Sequence, residues 1–147
     1  MLSWLFSDPL SAGTPAPDFT LSDDSGRSVT LSKLRGKNVV LVFYPGDDTP
    51  GCTRQLCDFR DRWEQARTKG VEVFGVNPQS AAKHTHFRNK FQFPFPLIVD
   101  ERRRIARLYN AHGLIIKRTV YLIGPDGRIR FARRGMPSPT EVLSYAG

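Results

Sequence analysis

Two cysteines, Cys52 and Cys57, are the residues of this sequence whose type and spacing most clearly suggest chemistry. Cys52 comes after two chain-breaking pairs, Pro45-Gly46 and Pro50-Gly51, and opens a segment with helical spacing. Apolar side chains follow it at alternating steps of four and three residues, the spacing of one helix face: Leu56, Phe59, Trp63 and Ala66. The pattern predicts that Cys52 lies in the first turn of a helix, in line with its apolar face.

This position changes the chemistry expected of the Cys52 thiol. Backbone N–H groups in the first turn of a helix lack intrahelical partners, and the helix dipole places partial positive charge there. Both favour the thiolate, and cysteines at helix N-termini have pKa values lowered from ~8.5 to about 3.5–7.5. The alternative is a packing role, because an isolated cysteine is usually a small buried hydrophobe. The position alone leaves both interpretations open.

Cys57 lies five residues after Cys52. On a regular helix this separation is about 140° around the axis and about 7.5 Å along it. A disulfide requires Cα atoms within about 7 Å and suitably directed Cβ atoms, so an intact helix is a poor frame for the bond. If the two sulfurs pair, the first turns of the helix must unwind. The spacing therefore suggests a compact reduced form and a locally opened oxidised form.

Strand-like and helix-like segments alternate along the rest of the chain. Strands are predicted at residues 38–44, 71–76, 97–100, 119–123 and 128–132, and a hairpin at 18–30. Helices are predicted at residues 50–68, 80–91, 101–109 and 137–146. This order predicts an α/β fold with a central mixed β-sheet flanked by helices and an N-terminal β-hairpin. We expect one domain at residues 13–147, preceded by an N-terminal extension at residues 1–12.

Composition limits the classes of function. The chain has 147 residues, of which 39% are hydrophobic, and a net charge of +8. Nucleic-acid-binding modules usually add interleaved aromatic side chains or a groove-shaped helix to such a charge, and neither accompanies the basic runs 102–104 and 128–134. We therefore expect a solvated basic face and no specific nucleic-acid partner.

Compartment, membrane and metal expectations also follow from the residues. Two cysteines are too few for a disulfide scaffold, so a redox-active pair in the reducing cytoplasm is expected. No apolar run approaches the ~20 residues of a membrane span. The apolar segment Met1–Phe6 lacks the features of a signal peptide and is expected to dock on the domain, with weak interfacial membrane anchoring as the alternative. His84 and His86 point to different helix faces, so neither a metal nor a cofactor is expected.

The spacing Pro45-x-x-x-Thr49-x-x-Cys52 resembles the active-site motif of peroxiredoxins. The second cysteine, in Cys52-x-x-x-x-Cys57, resembles the Q-type subgroup, also called bacterioferritin comigratory proteins. Further segments similar to the family extend the resemblance from about Gly13 to the C-terminus: 16–21, 31–37, 39–44, 95–100, 118–123 and 126–127. Asn77 departs from the family, in which Ser or Thr is usual. The resemblance implies a thioredoxin-like fold and thiol-dependent peroxidase activity.

The resemblance also implies roles for five residues. Cys52 would be the peroxidatic nucleophile, oxidised by a hydroperoxide to sulfenic acid, and Cys57 would resolve it to an intramolecular disulfide. Thioredoxin or a related dithiol would reduce the disulfide, and an intrachain resolving cysteine permits a monomer. Arg118 would hold the thiolate and the peroxide oxygens. Pro45 would shape the pocket, and the Thr49 hydroxyl would bond peroxide and sulfur, alone or together with an ordinary N-cap role.

Two other functions are compatible with parts of the sequence. Disulfide oxidoreductases of the same fold use a two-residue gap between cysteines, whereas four residues separate Cys52 from Cys57. The gap and the Thr49 partner argue against that class. A basic interaction module with incidental cysteines is the alternative from a different class. Consumption of peroxide by Cys52 separates both alternatives from a peroxidase.

Overall fold

Two β-sheets organise the described residues, 8–147 of the computed structural model; the segment Met1–Phe6 lies outside them. In chain order the strands are β1 (Thr20–Ser22), β2 (Ser28–Thr30), β3 (Asn38–Phe43), β4 (Val71–Asn77), β5 (Leu97–Val99), β6 (Thr119–Ile123) and β7 (Ile129–Arg134). β1 and β2 pair as an antiparallel hairpin. The other five strands form one mixed sheet in the order β5-β4-β3-β6-β7.

Strand β3 lies at the centre of the mixed sheet and is buried along its whole length. Its nearly continuous apolar sequence fits this position, because a central strand is covered on both faces. β3 pairs in parallel with β4 and antiparallel with β6. A parallel pair needs a crossover connection, and the helical segment that begins near Cys52 supplies it. The carboxyl end of β3 therefore leads directly into the segment that carries both cysteines.

The helices are α1 (Pro50–Asp61), α2 (Trp63–Thr68), α3 (Ala81–Phe91), α4 (Arg104–Leu108) and α5 (Pro139–Leu143), with 3₁₀ turns at Leu31–Leu34 and Glu101–Arg103. The prediction of one continuous helix over residues 50–68 is wrong. Arg62 separates α1 from α2 with φ −106° and ψ 17°, and its N–H donates to the Phe59 carbonyl at 3.2 Å, a tightened turn. Arginine is a good helix former, so nothing local in the sequence marks this break.

Two apolar clusters cover the two faces of the sheet. Because side chains alternate along a strand, β3 contributes to both: Val39, Leu41 and Phe43 to one, Val40 and Val42 to the other. The first cluster packs under the hairpin and α4, and the second packs against α1, α2, α3 and α5. The second cluster contains Cys52.

The expected fold class is confirmed: an α/β, thioredoxin-like fold with a central mixed sheet flanked by helices and an N-terminal hairpin. Ahead of the hairpin, Gly13 N–H donates to the Ile129 carbonyl at 2.7 Å, and the Leu10 N–H donates to the Tyr121 hydroxyl at 2.9 Å. The division between an extension at 1–12 and a domain at 13–147 stays a prediction. None of the helices among residues 8–147 is long and apolar enough to cross a membrane.

Candidate active site

Cys52 lies in the first turn of α1, where the loop after β3 becomes helical. Thr49 is the N-cap residue and Pro50 occupies the start of the helix, where its missing N–H costs no hydrogen bond. Cys52 is 1% exposed and packs with the cluster that includes Leu56. The sequence pattern therefore placed Cys52 correctly, both in the first turn and on the apolar face.

Arg118 reaches the Cys52 sulfur from the residue that immediately precedes β6. Its Nη2 donates to Cys52 Sγ at 3.2 Å, and its Nη1 donates to Gln55 Oε1 at 2.8 Å. A guanidinium stays charged at any working pH, so this bond places a fixed positive charge beside the buried sulfur. A Cβ at position 51 would lie 3.3 Å from Arg118 Nη2, so Gly51 leaves room for the guanidinium to approach.

Gln55 fixes the second arm of this guanidinium and is a residue that sequence reasoning missed. Its side chain is 2% exposed, and its Nε2 donates to the Gly135 carbonyl at 3.3 Å. The amide therefore links Arg118 to the end of β7. The sequence did contain a signal for Gln55: it follows Cys52 by three residues, so the two side chains share a helix face.

Thr49 and Pro45 lie in the loop between β3 and α1. The Thr49 hydroxyl donates to the Gly46 carbonyl at 2.9 Å rather than to the sulfur. It makes no side-chain capping bond to α1, although Thr49 has the extended backbone of an N-cap residue, with φ −95° and ψ 150°. Pro45 is half-buried at the end of β3. The structure thus joins Arg118 to Cys52 directly and leaves Thr49 bonded within its own loop.

Cys57 occupies a different environment on the same helix. It is half-buried and packs at the margin of the cluster that contains Cys52. Burial raises the pKa of the Cys57 thiol; Arg60 opposes this shift, and Asp61 and Asp58 add to it. Both cysteines lie within α1, so the regular helix separates them by the spacing predicted from the sequence.

A buried polar network holds the loop after β3 from its other side. Asp47 Oδ2 lies 2.6 Å from His84 Nδ1, and Asp47 Oδ1 accepts from the Tyr44 hydroxyl at 2.6 Å and from Asn77 Nδ2 at 3.1 Å. Burial, and then the negative charge of Asp47, raises the pKa of Tyr44 well above its usual range. In the sequence His84 stood out only as a possible metal ligand. The network was not predicted, because its members lie far apart in the chain.

Metal binding has no evident location in the described part of the chain. Across residues 8–147, no three His, Cys, Asp or Glu side chains are grouped as a metal site would need. His84 uses both ring nitrogens within the protein, at Asp47 and at the Ile98 carbonyl.

The sheet order and a thiol at the start of the crossover helix define the class: thioredoxin-like proteins with a cysteine at the helix N-terminus. Within this class, the model of the AhpC/TSA family matches residues 12–132. The chain belongs to this family, and its relatives place it in the peroxiredoxin Q and bcp group.

Three relatives illustrate the similarity. Peroxiredoxin Q, chloroplastic, of Oryza sativa subsp. japonica is 40% identical over 138 residues, covering 91% of this chain and 64% of the relative. A peroxiredoxin bcp of Coxiella burnetii is 40% identical over 129 residues, covering 82% of this chain and 85% of the relative. The structure of Xanthomonas campestris peroxiredoxin Q has a TM-score of 0.84 at 30% identity, covering 90% of this chain and 94% of that one. The chain thus spans less than two thirds of the length of the plant relative.

Proposed function

We propose that this chain is a thiol-dependent peroxidase that reduces hydrogen peroxide and organic hydroperoxides through Cys52. The observation that carries the proposal is the 3.2 Å bond from Arg118 Nη2 to Cys52 Sγ at the start of α1. A fixed positive charge and a helix N-terminus both favour the nucleophilic thiolate. Membership of the peroxiredoxin Q and bcp group supports the same chemistry.

In the first step, the Cys52 thiolate attacks the terminal oxygen of the hydroperoxide. An S–O bond forms and the O–O bond breaks, so the sulfur is oxidised to sulfenic acid and the leaving oxygen takes a proton to become water or an alcohol. Negative charge develops on that leaving oxygen, and the Arg118 guanidinium stabilises this charge by donating a hydrogen bond to it. Thr49 accepts a hydrogen bond from the peroxide, because a hydroxyl that donates to Gly46 can still accept. Pro45 shapes the pocket wall.

In the second step, the Cys57 thiolate attacks the sulfenic sulfur of Cys52. The S–S bond forms, the S–O bond breaks, and hydroxide leaves as water after protonation. Since both cysteines lie within α1, the start of this helix unwinds for the sulfurs to meet. The missing side-chain cap at Thr49 lowers the cost of that opening.

Reduction by a dithiol completes the cycle. Thioredoxin or a similar dithiol attacks the Cys52–Cys57 disulfide through a mixed disulfide and is itself oxidised. The half-buried position of Cys57 makes its sulfur the accessible point of attack. This cycle needs a reducing compartment such as the cytoplasm, and its intrachain resolving cysteine lets a monomer complete it.

A peroxide-driven, thioredoxin-coupled assay tests the proposal. The unmodified protein is expected to oxidise NADPH through thioredoxin reductase and thioredoxin when hydrogen peroxide is added. The Cys52→Ser variant is expected to fall to the background rate, because an alcohol does not ionise to a nucleophile at neutral pH. Equal turnover by the two proteins would remove Cys52 from the reaction. Absence of turnover, together with no thiol loss when peroxide meets the reduced unmodified protein, would refute peroxidase activity.

A further inference from the structure

Asp47 and His84 form a buried pair that the proposed reaction does not use. Asp47 lies in the loop between β3 and α1, five residues before Cys52, and His84 lies in α3. The His84 side chain is 0% exposed and the Asp47 side chain is 4% exposed. A pair so fully removed from water is costly unless every charge and polar atom has a partner.

The hydrogen-bond partners of His84 determine where its protons lie. His84 Nε2 is 3.0 Å from the Ile98 carbonyl, and a carbonyl oxygen only accepts, so Nε2 carries a proton. His84 Nδ1 is 2.6 Å from Asp47 Oδ2, which places a second proton between these two atoms. Asp47 Oδ1 accepts two further bonds, from Tyr44 and Asn77. Each polar atom of the two side chains therefore has a hydrogen-bond partner, and one proton bridges the imidazole and the carboxylate.

The pair joins elements that are distant in sequence. Asp47 belongs to the loop that follows β3, whereas Asn77 ends β4 and Ile98 lies in β5. The backbone N–H of Asp47 donates to Gln79 Oε1, so main chain and side chain are both held. The middle of the loop that carries Pro45 and Thr49 is thereby fixed to α3 and to the end of the sheet. None of these bonds involves α1.

We propose that Asp47 and His84 are positioning residues for the peroxide-binding loop, a role that rests on the proposed peroxidase function. They touch neither the sulfur nor the substrate. They hold Pro45 and Thr49 in register with Cys52 while α1 is folded, and they keep this loop in place while α1 opens. Reduction of the disulfide then returns Cys52 to a preformed pocket.

The experiment uses a Cys57→Ser background, in which Cys52 is the only thiol of the chain. His84→Ala removes both hydrogen bonds, and a displacement near 1 Å costs up to ~10²-fold in rate, so we expect the rate constant with hydrogen peroxide to fall about tenfold or more. Alkylation of Cys52 by iodoacetamide needs a thiolate but no peroxide pocket, and we expect it to stay within about twofold, because Arg118 is untouched. The result to compare is the loss of rate with hydrogen peroxide against the loss of rate with iodoacetamide.

His86→Ala is the matched control, since His86 is an exposed histidine on the same helix. We expect it to leave both rate constants unchanged. His84→Asn is the conservative variant: its amide can donate to Asp47 but cannot also reach the Ile98 carbonyl, so part of the peroxide rate returns. If circular dichroism shows that His84→Ala does not fold, the same two rate constants are compared for His84→Asn.

Two results overturn the positioning role. One is a folded His84 variant that reacts with peroxide as fast as His86→Ala does. The other is an equal loss in the rate constants with peroxide and with iodoacetamide, which would mean that the pair acts on the sulfur itself. The bridging proton has its own test: 15N-histidine spectra should show His84 Nδ1 in a strong hydrogen bond as well as a proton on Nε2, and an Nδ1 without a hydrogen bond would contradict the pair. If the Cys57→Ser background itself consumes no peroxide, the proposed function fails, while the spectra still report on the pair.

Discussion

The two cysteines lie on one helix, five residues apart, yet their surroundings differ in every respect that controls thiol chemistry. Cys52 is buried at the helix N-terminus and accepts a hydrogen bond from Arg118. Cys57 is half-buried in the body of α1, and burial raises the pKa of its thiol. A fixed positive charge therefore lies beside one sulfur, whereas burial holds the pKa of the other above its ordinary value.

This difference assigns the order of events in the proposed cycle. Cys52 would react with peroxide first in this cycle, because a thiol with a raised pKa, such as Cys57, competes less well for the oxidant. Cys57 would become a stronger nucleophile when α1 loosens and its surroundings become aqueous. Burial therefore separates the two oxidation steps in time, without any difference in side-chain type.

Removing the second thiol should produce the largest change in turnover. Cys57→Ser leaves the Cys52 site intact but supplies no resolving sulfur, so we expect one equivalent of peroxide to be consumed and thioredoxin-coupled turnover to fall to background. Rapid-mixing measurements of the first equivalent and a steady-state assay report the two phases. Normal steady-state turnover would show that Cys57 has no part in the cycle.

Removing the charge beside Cys52 should make its thiol more like an ordinary one. Arg118→Met keeps much of the side-chain volume and deletes both donors, and loss of one fixed donor to a developing oxyanion typically costs about 10²–10³-fold. We expect a loss of about 10²-fold in the rate constant of Cys52 with hydrogen peroxide. Arg54→Met, the same change at an exposed arginine of α1, is the control. Equal rates in the two variants would contradict a role for Arg118.

Gln55→Leu probes how firmly the guanidinium is held and should have a smaller effect. The change deletes the acceptor of Arg118 Nη1 but leaves the bond to Cys52 Sγ. A hydrogen bond to a charged group contributes about 1.5–3 kcal/mol, and about 1.4 kcal/mol is a factor of ten in rate, so we expect a loss of about tenfold in the peroxide rate constant. Gln65→Leu in α2 serves as the control for the same substitution. A rate equal to that of the unmodified protein would make Gln55 a packing residue only.

The pH dependence of Cys57 alkylation should show the smallest effect, and it measures most directly how the surroundings of Cys57 change its thiol pKa. In a Cys52→Ser variant, the rate with iodoacetamide should rise with pH and reach its midpoint above the ~8.5 of an ordinary thiol, because burial raises the pKa of Cys57. The folded state binds the Cys57 proton more tightly than the unfolded state does. The stability that the protonated Cys57 thiol contributes is therefore lost as pH rises through its folded pKa. In denaturant the midpoint should return to the ordinary value. A folded midpoint at or below that value would contradict the effect of burial.

Local patterns predicted the elements and the position of Cys52, because apolar periodicity reflects which face of an element is covered. The run at 38–44 predicted the central strand β3, and the spacing after Cys52 predicted the buried face of α1. The break at Arg62 was not predictable in this way. Directly after the break, the Trp63 ring contacts Phe95, and the ring centroids are 6.2 Å apart.

Polar partners were harder to predict than apolar ones. Arg118 could be chosen among many arginines only through a family resemblance, since nothing in its neighbourhood distinguishes it from Arg128 or Arg133. The Asp47–His84 pair joins residues 37 positions apart, and its signature exists only after β4 and α3 have packed. Hydrogen bonds between distant elements leave no periodic trace in a sequence.

The interruption at Arg62 gives the reactive helix a defined far boundary. Fraying that begins at Pro50 meets a discontinuity in the hydrogen-bond ladder after Asp61, so it need not propagate into α2, whose Ala66 stays anchored in the core. In the proposed cycle, the surface that changes between redox states would then be confined to about three helical turns. A partner that distinguishes the oxidised from the reduced protein would have to recognise this one stretch, and the rest of the molecule would present the same face in both states.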